Sequence, residues 1–199
     1  MSAKEFISYD TVRDNALVLA NTIYREGFIP DVIYVSLRGG AYMGNVLSEF
    51  FKFVRRGSRP VFYAAVVARS YTNIHQQETV NVDGWTYSPE YLRSGDRVLL
   101  VDDIFDTGRT VNHLVQIILE KGIPRSDIRV AVHDYKVREY VPERLPIQPD
   151  YFCRKHVIQN AEDDMWIHYL SHELVGLDPQ EIDGHYMHED VRTILHSLP

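Results

Sequence analysis

The residues whose types and spacing could do chemistry are Asp102, Asp103 and Asp106, in the run Val-Leu-Leu-Val-Asp-Asp-Ile-Phe-Asp-Thr-Gly-Arg-Thr at 98–110. Adjacent carboxylates repel, so a soluble fold gains nothing from lining them up. They do accept hydrogen bonds from sugar hydroxyls. Thr107, Gly108, Arg109 and Thr110 follow and open a helix. A helix N-terminus has outward N–H groups and the positive end of a dipole, and it holds phosphate well. Gly108 lets the backbone approach closely, and the two threonine hydroxyls add hydrogen bonds. One loop thus offers carboxylates at one end and a phosphate cradle at the other. A sugar phosphate satisfies both, and ribose 5-phosphate is the natural guest, its 2′ and 3′ hydroxyls near Asp102 and Asp103. A helix cap with spare acids explains one aspartate, but not three ahead of Thr-Gly-Arg-Thr.

Such a loop needs a strand before it and a helix after it. The apolar run predicts a strand ending at Val101, so that the aspartates lie just past its carboxyl end, where open α/β sheets bind ligands. A helix predicted over 110–122 closes at Gly122. Upstream, Val12, Ala16, Leu19, Ala20 and Ile23 recur at helical spacing, with Ser8 as N-cap and Gly27 as stop. Strands are predicted over 31–36, 60–71 and 128–136, with a weaker one at 149–157, and a helix over 41–54. The apolar character of 60–71 suits a strand covered on both faces. Alternation of strands and helices predicts a parallel α/β sheet. The polar stretch 72–96 reads as a long loop of the kind used for lids. The chain after Trp166 reads as an irregular tail ending in a short helix at 188–198.

Strand plus Val-Asp-Asp-Ile-Phe-Asp-Thr-Gly-Arg-Thr resembles the phosphoribosyl-diphosphate motif of the type I phosphoribosyltransferases, and further matches to the 6-oxopurine branch follow over residues 5–175. The resemblance implies a central, mostly parallel sheet flanked by helices, in one domain over 1–199. It also implies a small hood from N- and C-terminal segments, with 150–199 contributing to a purine-binding hood. By resemblance, Asp102 and Asp103 hold the ribose hydroxyls, Asp106–Thr110 holds the 5-phosphate, and Asp106 is the general base near purine N7. Leu37, Arg38 and Gly39 match the pyrophosphate loop, where the family has a strained, sometimes cis, peptide. Ser70 and Tyr71 match the start of a mobile lid. Lys136 matches the donor to purine O6. Trp166 matches the stacking aromatic, and Ile167 the residue whose carbonyl faces the C2 substituent. Glu173 stands seven residues after the aromatic, where some members carry a magnesium-binding aspartate. Asp102 and Asp103 would meet Mg2+ through water or ribose. The implied activity is transfer of phosphoribose from phosphoribosyl diphosphate to N9 of hypoxanthine, guanine or xanthine, in a homo-oligomer.

Composition narrows the alternatives. The 199-residue chain carries net charge −7 and 45% hydrophobic residues, enough for a core and without the basic excess of a nucleic-acid binder. The one basic cluster, Lys-Phe-Val-Arg-Arg-Gly-Ser-Arg at 52–59, reads as a solvated helix end. A lone cysteine, Cys153, forms no intrachain disulfide. No apolar run reaches the roughly 18–20 residues of a membrane span, and the first ten residues show no signal core. The expectation is a cytoplasmic protein without nucleic-acid or membrane partners. Two other readings remain: a non-catalytic sensor of phosphoribosyl ligands on the same fold, and a zinc protein using His168/His172 or His185/His188.

Overall fold

The structure, a computed structural model, describes residues 4–72 and 78–198. Its elements run β1 (Lys4–Ile7), α1 (Tyr9–Arg25), β2 (Val32–Leu37), α2 (Gly40–Val54), β3 (Phe62–Thr72) and β4 (Glu78–Trp85). They continue as β5 (Val98–Phe105), α3 (Arg109–Glu120), β6 (Ile128–Arg138), β7 (Tyr151–Ile158), β8 (Trp166–Tyr169), α4 (Pro179–His185) and α5 (Glu189–Ser197). Six strands form one sheet in the order β4-β3-β2-β5-β6-β7, parallel except for β4. Strands β1 and β8 pair in parallel as a separate two-stranded sheet, the hood.

The period-2 alternation of strands explains the continuous apolar run that ends in the aspartates. On β5, Leu99 and Val101 face the core under α1 and α2, with Ala16, Ile23, Leu47 and Phe51. Val98 and Leu100 face the core under α3, with Leu114, Val115 and Ile118. Both faces of β5 are buried, as a central parallel strand requires. Leu114 is fully buried. Leu114→Ala should therefore cost about 2–5 kcal/mol of stability, read as a lower urea midpoint with unchanged m-value.

Several sequence expectations are corrected. Strand β5 does not stop at Val101 but runs through Asp102 and Asp103 to Phe105. The polar stretch 72–96 is not a structureless loop: β4 pairs antiparallel with β3, and a 3-10 turn follows at Pro89–Tyr91. Residues 73–77 of that stretch lie outside the described residues. Strand β3 is not covered on both faces, since Phe62 and Tyr63 are exposed. Strand β7 is an edge strand of the main sheet, and the chain beyond it supplies β8, the partner of β1. The tail is more ordered than expected, with α4 opened by a capping box at Asp178 and Glu181. Among the described residues, no helix is long and apolar enough to cross a membrane.

The basic cluster is also more than a solvated helix end. Arg55 donates to the buried Asp31 at 2.8 Å, and Arg59 to the buried Asp96 at 2.9 Å. The second oxygens of these acids accept backbone N–H groups of Arg97 and Arg93. The arginines are therefore structural ties.

Candidate active site

The carboxylate pair sits just past the last pairing of β5 with β2, at Val101, on a stretch still paired with β6. Each acid first satisfies its own turn: Asp102 accepts from Asp103 N–H at 3.1 Å, and Asp103 from Ile104 N–H at 2.9 Å. Burial pushes the Asp102 carboxyl well above its usual range, and the neighbouring Asp103 adds to it. Asp103 has two further neighbours. His172 Nε2 lies 3.1 Å from its Oδ2, and the Tyr169 hydroxyl lies 3.1 Å from its carbonyl.

The loop after β2 closes on this pair. The Leu37–Arg38 peptide is cis. A Cβ built on Gly39 would overlap the Asp103 carboxylate, and one on Gly40 would crowd the Val101 carbonyl. The two glycines therefore let the start of α2 lie directly against residues 101–103. The Arg38 side chain is exposed.

Past Phe105, the segment Asp106–Thr110 turns into α3. Gly108 is the N-cap, in the left-handed region at φ 78°. A Cβ there would also strike the Phe105 ring, so the turn requires glycine on both counts. Asn112 anchors the helix start: its amide donates to the carbonyls of Gly108 (2.9 Å) and Ile147 (2.8 Å).

Facing this loop, the ends of β6 and β8 form the wall of a cavity of about 250 Å³. It is lined by Asp103, Asp106, Lys136, Arg138, Asp164, Trp166, Ile167 and Glu173, among others. Lys136 is buried; its Nζ donates to Asp164 Oδ1 at 2.6 Å and to the Met165 carbonyl at 2.7 Å, and stands 3.6 Å from Asp106 Oδ1. Trp166 is half exposed, which leaves its ring available to a flat heterocycle. Leu170 N–H donates to the Ile7 carbonyl. By the alternation of a parallel ladder, Trp166 and His168 also turn their backbone groups toward β1. Ile167 then turns its N–H and C=O to the free edge of β8.

Three features are at odds with the sequence reading or were missed by it. Glu173 is already engaged: its Oε2 takes Trp166 Nε1 at 3.4 Å and His168 Nδ1 at 3.3 Å. It braces the aromatic through that oxygen. Arg138, two residues after Lys136 and so on the same strand face, donates to the carbonyl and carboxylate of Asp106 and, at 2.5 Å, to Asp164 Oδ2. Those two acids hold the Arg138 guanidinium above its ordinary range against the cost of burial. Beneath the site, the fully buried Asp134 accepts from His133 and His156 at 2.6 Å and from Tyr169 at 2.5 Å. Burial alone would raise its pKa, but these donors pull it down to about 2.

The zinc reading finds no support in placement. His168 lies on β8 and His172 in the following turn, not together on a helix. His185 stacks on Phe6. No group of three or more metal-type side chains gathers among the described residues. Ser70 and Tyr71 lie on β3, opposite Val80 and Thr79 of β4; their side chains are outside what the structure describes.

Comparison with known proteins agrees with this geometry. The family model for the phosphoribosyl transferase domain matches residues 8–165. The bifunctional protein PyrR of Brevibacillus brevis is 28% identical over 130 residues, covering 65% of this chain and 69% of that protein. A hypoxanthine/guanine phosphoribosyltransferase of Methanohalophilus mahii is 49% identical over 41 residues, or 21% of this chain and 22% of that protein. A purine phosphoribosyltransferase from Pyrococcus horikoshii Ot3 shares the fold with TM-score 0.65 at 20% identity, covering 88% of this chain and 97% of that one. With the carboxylate pair, the glycine-capped turn into α3 and the match over most of its length, the chain belongs to the phosphoribosyl transferase domain family.

Proposed function

We propose that the protein transfers phosphoribose from 5-phosphoribosyl 1-diphosphate to N9 of a 6-oxopurine, releasing the nucleoside monophosphate and pyrophosphate. One observation carries this reading: Asp106, Lys136, Trp166 and Ile167 line a single cavity that also reaches Asp103. A base stacked on Trp166 in that cavity meets a cationic donor for O6 and a carboxylate for N7. Lysine has donors only, so it accepts O6 as partner and rejects the 6-amino group of adenine. The free backbone edge of Ile167 suits the 2-amino group of guanine and tolerates hypoxanthine.

In this reading Asp102 and Asp103 grip the ribose hydroxyls, which relieves the repulsion within the pair. The turn Asp106–Thr110 receives the 5-phosphate, and Leu37, Arg38 and Gly39 receive pyrophosphate. As the bond at C1 breaks, Asp106 takes the proton from N7 and Lys136 steadies the charge growing on O6. The oxygen donors of Asp102 and Asp103 fit magnesium, a hard cation that when bound would neutralise diphosphate charge. Glu173, already engaged by Trp166 and His168, is not needed for it.

A steady-state assay with phosphoribosyl diphosphate and magnesium, run separately with hypoxanthine, guanine, xanthine and adenine, tests the proposal. Turnover of one or more oxopurines without adenine is expected. Absence of turnover in folded protein that still binds the diphosphate would overturn it in favour of a regulator. The likeness to a bifunctional protein makes that the second reading.

A further inference from the structure

We propose that Asp164 is a positioning residue: it locks the O6-reading amine of Lys136 to the hood segment that carries the stacking Trp166. The inference rests on the oxopurine reading above and names the residue that makes its specificity possible. Lys136 belongs to β6 of the main sheet and Trp166 to β8 of the hood, so separate sheets supply the two groups that must hold one flat base. Asp164 precedes Trp166 by two residues and reaches across that gap.

Its two oxygens have different duties. Oδ1 accepts from Lys136 Nζ at 2.6 Å, and Oδ2 accepts from Arg138 Nε at 2.5 Å, with the Tyr140 hydroxyl at 3.3 Å. The next carbonyl, that of Met165, takes a second Lys136 proton at 2.7 Å. An ammonium has three N–H donors. Two are fixed on the hood, and the third is left on the side of Asp106, 3.6 Å away across the cavity wall. Without this carboxylate the buried lysine would lose its aim and keep only the more distant Asp106, at 3.6 Å, as a partner for its charge. The Asp164 carboxyl is itself drawn below its usual range by Lys136 and Arg138, against its partial burial. Arg138 closes the ring by joining Asp164 to Asp106. The residue that reads O6 and the residue that takes the N7 proton are thereby referred to one framework.

The test is a double-mutant cycle of Asp164→Asn and Lys136→Ala on the full chain, with folding checked by near-ultraviolet circular dichroism. Asp164→Asn is nearly isosteric and keeps an acceptor, so it limits disturbance of the fold. It should raise KM for the oxopurine about tenfold or more, the scale of a charged hydrogen bond, with KM for phosphoribosyl diphosphate within about twofold. In the Lys136→Ala background it should add little, because its partner is already gone. Asp164→Glu should recover part of the loss. Multiplying effects in the cycle, or an equal rise in both KM values, would overturn the proposal and mark Asp164 as generally structural. Wild-type turnover with an unaffected Asp164→Asn variant would overturn it alone. No wild-type turnover with any oxopurine would overturn the parent reading and this one together.

Discussion

Asp106→Asn should lower kcat by about 10²–10⁴-fold, the usual worth of a positioned acid–base group, while phosphoribosyl diphosphate binds nearly as before. The asparagine keeps a carbonyl oxygen where Asp106 Oδ1 meets Arg138 and Lys136, so the turn into α3 keeps its anchor. It loses the ability to take a proton from the purine. The Asp106 side chain is about half exposed, at 46%, so part of the carboxylate remains open to a bound base even with Arg138 attached. Binding and chemistry are therefore separable here: calorimetry with the diphosphate reads the first, and single-turnover kinetics with the best oxopurine reads the second. Turnover near the wild-type rate would remove Asp106 from the role of base.

What the sequence made legible was chemistry that is local in the chain. The acids, the turn and the helix start lie within 98–110, and they fold as one connection from β5 into α3. Helix α1 was legible from periodicity and the Ser8 cap, which accepts Thr11 N–H at 3.1 Å. Strand β4 was not. Its alternation is short, with Val82 and Trp85 the residues that pack on the core, and it sits in a polar stretch that also carries glycine and proline. Arg138 and Asp164 were missed for a different reason. A charged residue near a strand end reads as solvated, and only folding brings partners 26 residues apart to hydrogen-bonding distance. Arg55 and Asp31 repeat the lesson, since 24 residues separate them. The run of arginines alone looked like an ordinary helix end. Glu173 is a further case, since its contacts with Trp166 and His168 form only in the fold.

Gly39→Ala should reduce kcat/KM for phosphoribosyl diphosphate by about 100-fold or more, the cost expected when reacting groups are displaced by about 1 Å. The backbone at Gly39 is ordinary, with φ −57° and ψ −46°, so alanine fits it conformationally. The obstacle is space, because the new methyl group would occupy the position of the Asp103 carboxylate. That carboxylate has little room to yield. Its Oδ1 takes Ile104 N–H at 2.9 Å, its Oδ2 meets His172 at 3.1 Å, and its backbone carbonyl meets the Tyr169 hydroxyl at 3.1 Å. Either Asp103 swings away from the ribose, or the Leu37–Gly39 loop moves away from pyrophosphate. Both raise KM for the diphosphate, and neither touches the base cavity directly. Gly184→Ala is the control. It lies in α4, with nothing within 4 Å of an added Cβ, and should leave kinetics unchanged while stabilising the helix by about 0.5–1 kcal/mol. Wild-type kinetics in a folded Gly39→Ala protein would mean that Asp103 can move without consequence. The ribose grip would then rest on Asp102 alone.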